Sequence, residues 1–182
     1  MIIYSGVEQG TEEWKKMRRG LWTGSVAIRL LQGKSLPPES TWDGFKDAAI
    51  RGHMLEHAMI REYERKYRRV IARPGFVTNT VYPNAGYSPD GIDGPWLLEM
   101  KAFLGDRLQR LVVGEIPLEV QVQIFFGMII TGKRKARLLA IDPDAIDKEQ
   151  LTVIEITYDK IIGNNIRKKL RLDMKKRLAA KT

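Results

Sequence analysis

The sequence predicts an α/β (α+β) fold, with a central mixed β-sheet flanked by helices. Three observations carry this reading. Helical and strand periodicities occupy separate, alternating stretches of the chain. Its 182 residues, 43% hydrophobic and 29% charged, suit one domain that can bury a core without covalent staples. No internal repeat, low-complexity tract or Pro/Gly/Ser linker divides the chain, so 1–182 reads as a single domain.

The elements follow in order. Ile2 to Val7 is short and β-leaning. Thr11-Glu12-Glu13-Trp14 reads as a helix start, a hydroxyl cap followed by acids in the first turn, and this helix stops at Gly20. Thr23 is placed to cap a second helix through Leu31, and residues 33–41 read as a loop. From about Trp42 to Arg69, Ala49, Met54, Leu55, Ala58, Met59 and Tyr63 recur at helical spacing, opposite Arg61, Glu62, Arg65 and Lys66. Strands are expected at 70–72, 76–82, 85–88 and 96–101, broken at Pro74-Gly75, Pro83-Asn84 and Asp93-Gly94-Pro95. Pro117 suits the first turn of a helix carrying Val120 to Ile130. Strands near 136–141 and 152–157 flank the turn Asp142-Pro143-Asp144, and a helix from about 159 to 179 closes the chain.

Composition excludes several classes. The absence of cysteine removes disulfide frameworks and thiolate zinc sites. The longest apolar run, Ile124 to Ile130, falls far short of the roughly 20 residues needed to span a bilayer. Met1-Ile2-Ile3-Tyr4-Ser5-Gly6 does not read as a signal peptide, so cytoplasm (a host's, for a phage-encoded chain) is the expected compartment. The net charge of +9 points to a polyanionic partner, nucleic acid being the commonest. Residues 1–159 contribute only +1, with 22 Lys/Arg against 21 Asp/Glu, and residues 160–182 contribute +8.

The chemistry concentrates in Ser88-Pro89-Asp90-Gly91 and Leu98-Glu99-Met100-Lys101. On a strand, Glu99 and Lys101 project from one face, and Leu98 and Met100 pack on the other. Asp90, from a preceding hairpin arm, is placed to add a second carboxylate. Asp90, Glu99 and the Met100 carbonyl form an all-oxygen set suited to Mg²⁺, with Mn²⁺ able to substitute. Lys101 would orient or help deprotonate an attacking water, and phosphodiester hydrolysis needs this combination.

The Pro-Asp and Glu-x-Lys pattern resembles the PD-(D/E)XK nuclease superfamily, which implies a restriction-endonuclease-like core. The run Val7 to Gly20 with Thr23-Gly24-Ser25, the pair Gly52 and Glu56, and Glu119-Val120-Gln121-Val122-Gln123 resemble motifs of the lambda exonuclease and YqaJ-type viral recombinase family. With the nuclease motif they occur in that family's order and span residues 7 to about 143. The resemblance implies metal binding by Asp90, Glu99 and the Met100 carbonyl, with Lys101 as the catalytic lysine. It implies that Glu56 faces the same site, binding a metal-linked water or a second ion. It further implies that Gln121 bonds Lys101 or the water, with Gln123 equally open to a structural role. Arg18, with Arg19 as its competitor, and Ser25 would hold a DNA 5′-phosphate; an Arg fork and a helix start both suit phosphate.

What the resemblance implies as a whole is a Mg²⁺-dependent 5′→3′ exonuclease on double-stranded DNA ends. It would leave 3′ overhangs for a single-strand-annealing protein, and its relatives form ring-shaped trimers. This chain is shorter than lambda exonuclease, and Thr80 stands where that relative carries an acid ahead of the Ser-Pro-Asp motif. A PD-(D/E)XK endonuclease or Cas4-like nuclease is the first alternative, and a non-catalytic DNA-binding protein on a nuclease scaffold is the second.

Other residues have plainer roles. His53 and His57 lack a third ligand partner in sequence, and Trp22 and Trp42 read as anchors before base-stacking platforms. Asp93, Asp142 and Asp144 belong to turns. The last helix carries an apolar stripe, Ile162, Ile166, Leu170, Met174 and Leu178. Its other face, with Arg167, Lys168, Lys169, Arg171, Lys175, Lys176 and Arg177, is either simply solvated or a non-specific DNA rail. A membrane surface is the less economical partner for it.

Overall fold

A computed structural model describes residues 1–38, 46–144 and 151–180, with side chains at all of these except 46–54. The chain begins with β1 (Ile2–Tyr4) and α1 (Glu12–Arg18), then a 3₁₀ turn (Gly24–Val26) that runs into α2 (Ala27–Leu31). α3 (Lys46–Tyr67) precedes β2 (Phe76–Asn79), β3 (Tyr82–Tyr87), β4 (Gly91–Asp93) and β5 (Trp96–Ala102). α4 (Gly105–Val112) and α5 (Leu118–Thr131) lead to β6 (Lys135–Ile141), β7 (Thr152–Ile156) and α6 (Lys160–Ala179). Among the described residues, no helix is long and apolar enough to cross a membrane.

The central sheet, in order β4-β5-β6-β7, is mixed, as expected. β5 and β6 run parallel, joined across α4 and α5, whereas β4 and β7 pair antiparallel at either edge. β1, β2 and β3 form a separate antiparallel sheet. The period-2 pattern of β5 divides the core. Leu98 and Met100 face α3, packing in one cluster with Met59, Ile60 and Tyr63. Leu97 faces the larger cluster with Val122, Phe125 and Phe126 of α5. Glu99 and Lys101 therefore project toward α5. That helix is buried on nearly every side because it lies against both sheets, so its apolar residues are almost continuous.

Several local expectations are corrected. The 76–82 stretch turns at Thr80-Val81, and Pro83-Asn84 lies inside β3. The Asn79 side chain makes that turn by accepting from the Val81 N–H at 2.8 Å. Thr80 is exposed in this turn. Ala72 makes only an isolated bridge to Ile92, not a strand. Thr23 does not cap the second helix; its hydroxyl accepts from Arg18 instead, and the first turn tightens to 3₁₀. α3 ends at Tyr67, with Arg68 at φ 51°, and Trp42 lies outside the described residues. α4 was not expected from the sequence, and Pro117 stands one position earlier than expected, as the cap of α5. Asp159 caps α6, accepting from the Ile161 and Ile162 N–H groups at 2.7 and 3.1 Å.

Candidate active site

The β4–β5 hairpin sets the central geometry. Gly91 pairs with Leu98, so Asp90 lies just beyond β4, beside the Glu99-Met100 segment. Asp90 Oδ2 accepts from the Met100 N–H at 2.8 Å. In an extended strand the carbonyl and N–H of one residue share an edge, so the Met100 carbonyl faces Asp90 as well.

Glu99 is 1% exposed and holds three donors. Its Oε1 accepts from Lys101 Nζ at 2.6 Å and from Gln123 Nε2 at 2.5 Å. Its Oε2 accepts from the Tyr87 hydroxyl. Burial, then the neighbouring Glu99 and Glu56 charges, push the Asp90 carboxyl well above its usual range, against a downward pull from Lys101. Burial alone would lower Lys101, but Glu99, Asp90 and Glu56 outweigh it and hold the ammonium above the ordinary lysine range. Burial, then Glu99, likewise raises Tyr87.

The structure thus brings Asp90, Glu99, Met100 and Lys101 together as the sequence predicts. Glu56, half-buried on α3, lies near enough for its charge to act on Asp90 and Lys101, and it pairs with Arg73 at 3.9 Å. Gln121 differs from expectation. Its amide donates to the Ile116 carbonyl at 2.7 Å, just before α5, and Gln123 is the glutamine that reaches Glu99. Tyr87 is the residue at the site that the motifs do not include, and Gln123, left open between a site and a structural role, is the one that bonds Glu99. The signal available for Tyr87 was its place next to Ser88-Pro89-Asp90.

A second feature flanks this cluster. Arg18 donates to the Thr23 and Ser25 hydroxyls, both at 3.2 Å, and stacks 4.0 Å above the Trp14 ring. Its Nε is buried without a hydrogen-bond partner. Desolvation lowers its pKa to about 10. Arg18 as a whole is half-buried, and among the described residues no carboxylate pairs with it. The competitor Arg19 is exposed. Trp14 connects the two features, since its indole N–H donates to Ser88 Oγ at 2.7 Å, two residues before Asp90.

The remaining candidates divide. Trp22 is a core residue, 3% exposed. His57 bonds Arg73 at 3.3 Å, and the His53 side chain lies outside the described residues. Lys168 and Lys175 line one shallow cleft on α6 with Arg167 and Arg171. Lys169 points instead toward the Gly33 turn, and Lys176 is exposed. The apolar stripe docks through Ile166 and Leu170, whereas Leu178 is exposed. Arg177 is not on a free basic face: it donates to the Gly20 carbonyl and pairs with Asp173, both within 2.7 Å.

The residues fit a divalent cation. Among those described, no three His, Asp or Glu side chains already converge as a metal site. Asp90, Glu99 and the Met100 carbonyl would offer it an all-oxygen set, the kind Mg²⁺ prefers. Burial, and then the Glu99 and Glu56 charges, disfavour an ionised Asp90, and a bound cation would offset both.

Comparison with known proteins identifies the family and the fold. Residues 13–134 match the YqaJ-like viral recombinase domain. An alkaline exonuclease from Laribacter hongkongensis is similar over 94% of this chain and 99% of its own, at TM-score 0.69 and 21% identity. The same enzyme in complex with dAMP aligns at TM-score 0.68, with the same identity and coverage. A phage-related exonuclease from Haemophilus somnus 129PT is similar at TM-score 0.53 and 11% identity, over 90% of this chain and 85% of that one. No curated protein sequence matches. The mixed sheet, its flanking helices and the domain match together place the chain in the YqaJ-like viral recombinase family, on the PD-(D/E)XK fold of phage-type exonucleases.

Proposed function

We propose that the protein is a single-domain, Mg²⁺-dependent 5′→3′ exonuclease acting on double-stranded DNA ends, leaving 3′ overhangs for an annealing partner. The observation that carries this is the pairing of two sites through Trp14 and Ser88. One is an acid pair with a lysine, and the other is a half-buried arginine, its Nε buried and unbonded, that has no carboxylate partner among the described residues.

Asp90, Glu99 and the Met100 carbonyl would hold the ion. Bound Mg²⁺ supplies Lewis-acid neutralisation of the scissile phosphate. Arg18, Thr23 and Ser25 hold the terminal 5′-phosphate, which fixes the strand in register. Lys101, kept as an ammonium, orients the attacking water. Water adds to phosphorus, the P–O3′ bond breaks, and the 3′ oxygen leaves, protonated, on the released 5′-mononucleotide. The new terminus again carries a 5′-phosphate, so the Arg18 pocket serves every cycle. Gln123, through Glu99, takes the supporting place first assigned to Gln121.

Linear 5′-phosphorylated duplex, 5′-hydroxyl duplex and closed circular DNA, each with Mg²⁺ or EDTA, test the proposal. The expected result is Mg²⁺-dependent loss of the phosphorylated linear duplex, slow attack on the hydroxyl end and intact circles. Cleavage of circles points to an endonuclease, and binding without cleavage to a non-catalytic scaffold; either refutes it. Lys101→Ala should abolish turnover with DNA binding retained.

A further inference from the structure

Tyr87 enters a slot made by two glycines on different elements. A Cβ on Gly24, in the 3₁₀ turn, would stand 2.5 Å from Tyr87 Cε2. A Cβ on Gly127, in α5, would stand 2.5 Å from Tyr87 Cζ. Both distances are below any real Cβ contact, so only glycine admits the ring at either position. Gly127 sits mid-helix, where it costs helix stability relative to alanine, so the slot outweighs propensity there. The ring is 2% exposed, and its hydroxyl ends on Glu99 Oε2.

The same turn touches Glu99's other holder, since the Gly24 Cβ position is 3.1 Å from Gln123 Cγ. Gly24 lies between Thr23 and Ser25, whose hydroxyls accept from Arg18. The segment that forms the anion pocket thus rests directly on the side chains that orient Glu99.

Building on the metal-site reading above, we propose that Tyr87 is a positioning residue. Held between Gly24 and Gly127, it fixes the Glu99 carboxylate for the ion by its hydrogen bond to Oε2. With Lys101 and Gln123 both on Oε1, the Tyr87 bond is what prevents the carboxylate from rotating. Outer-shell bonds of this kind set metal affinity without touching the ion.

The test is Mn²⁺ binding by the full chain in the absence of DNA, read by electron paramagnetic resonance of the free ion, for wild type and Tyr87→Phe. The substitution keeps the ring in its slot and removes only the hydroxyl. The expected outcome is a weakening of Mn²⁺ binding by roughly tenfold, with the unfolding transition still cooperative. In the companion assay, the Mg²⁺ concentration for half-maximal hydrolysis rises in step, while the KM for phosphorylated duplex ends stays within about twofold. A merely structural tyrosine would change neither metal dependence selectively. Gly24→Ala, which keeps the hydroxyl but displaces the ring, provides the second variant should Tyr87→Phe not fold. Its Mn²⁺ affinity is expected to fall in the same direction. Mn²⁺ affinity within about twofold of wild type in a folded variant overturns the role of Tyr87 and leaves the metal site intact. A wild-type protein that binds no Mn²⁺ overturns the metal site itself and this proposal with it.

Discussion

Replacing Arg18 with Met should make the protein more stable and less discriminating. A fall from an ordinary value near 12.5 to about 10 corresponds to about 3 kcal/mol of unfavourable desolvation while the guanidinium is charged. The sign follows from linkage: the folded state binds this proton more weakly than the unfolded one. The penalty therefore applies in full at neutral pH and fades only above pH 10. Met fills a similar volume without the charge. The change forfeits two long hydrogen bonds and the stacking over Trp14, together about 1–2 kcal/mol. The remainder is a gain of about 1–2 kcal/mol, and a chain of this length shifts by about 2–4 °C per kcal/mol.

Thermal unfolding at pH 7.5 in EDTA reads this directly. Inorganic phosphate titrated alongside should raise the wild-type Tm, because an anion that pairs with Arg18 removes the penalty, and should leave Arg18→Met unmoved. The rate ratio between 5′-phosphate and 5′-hydroxyl ends should fall toward one. A lower Tm for Arg18→Met, or an equal response of both proteins to phosphate, would refute the reasoning.

Asp90→Asn keeps an acceptor for the Met100 N–H and removes the charge. Because the folded state raises the Asp90 carboxyl, its stabilising contribution is full below about pH 4 and lost as pH rises through the raised value. The variant should therefore have a higher Tm than wild type at pH 7.5 in EDTA, with no Mg²⁺-induced rise and no hydrolysis; a lower Tm contradicts this. Gly127→Ala should lose about 1–2 kcal/mol in urea unfolding, since overpacking against Tyr87 and Leu97 exceeds the helix-propensity gain. A more stable variant would show that the slot is slack. Lys168→Ala with Lys175→Ala should reduce the slope of log K for duplex DNA against log salt by about 2. An unchanged slope would show that this face of α6 is only solvated.

β5 was legible because it follows the simplest rule available, alternation, and its charged residues break an otherwise apolar face. Asp90 was legible because a turn signal, Asp93-Gly94-Pro95, fixed the hairpin that delivers it. The choice between Gln121 and Gln123 was not. α5 is apolar on nearly all sides, so no amphipathic phase shows which glutamine faces the acids. The break between β2 and β3 was hidden for a different reason. Thr80-Val81 carries no Gly or Pro, and the Asn79 side chain makes the turn, while the more conspicuous Pro83 lies at an exposed position inside β3. Tyr87 looked like any buried strand aromatic, because its role depends on glycines 63 and 40 residues away in sequence.

The net charge of +9 now separates into two kinds of cation that salt should treat differently. Lys168 and Lys175 are solvated on α6, so their attraction for a duplex is screened within about 10 Å at 0.1 M salt. Arg18 is desolvated and stacked, and an anion reaching it exchanges water for a fixed guanidinium and two hydroxyls. Raising salt should therefore weaken DNA capture steeply while leaving the preference for a 5′-phosphate nearly constant. The near-neutral body is consistent with this division. On the proposed function, the acids around Asp90 and Glu99 would repel DNA at long range, so general attraction would fall to α6, and only the few ångströms around Arg18 would read the end.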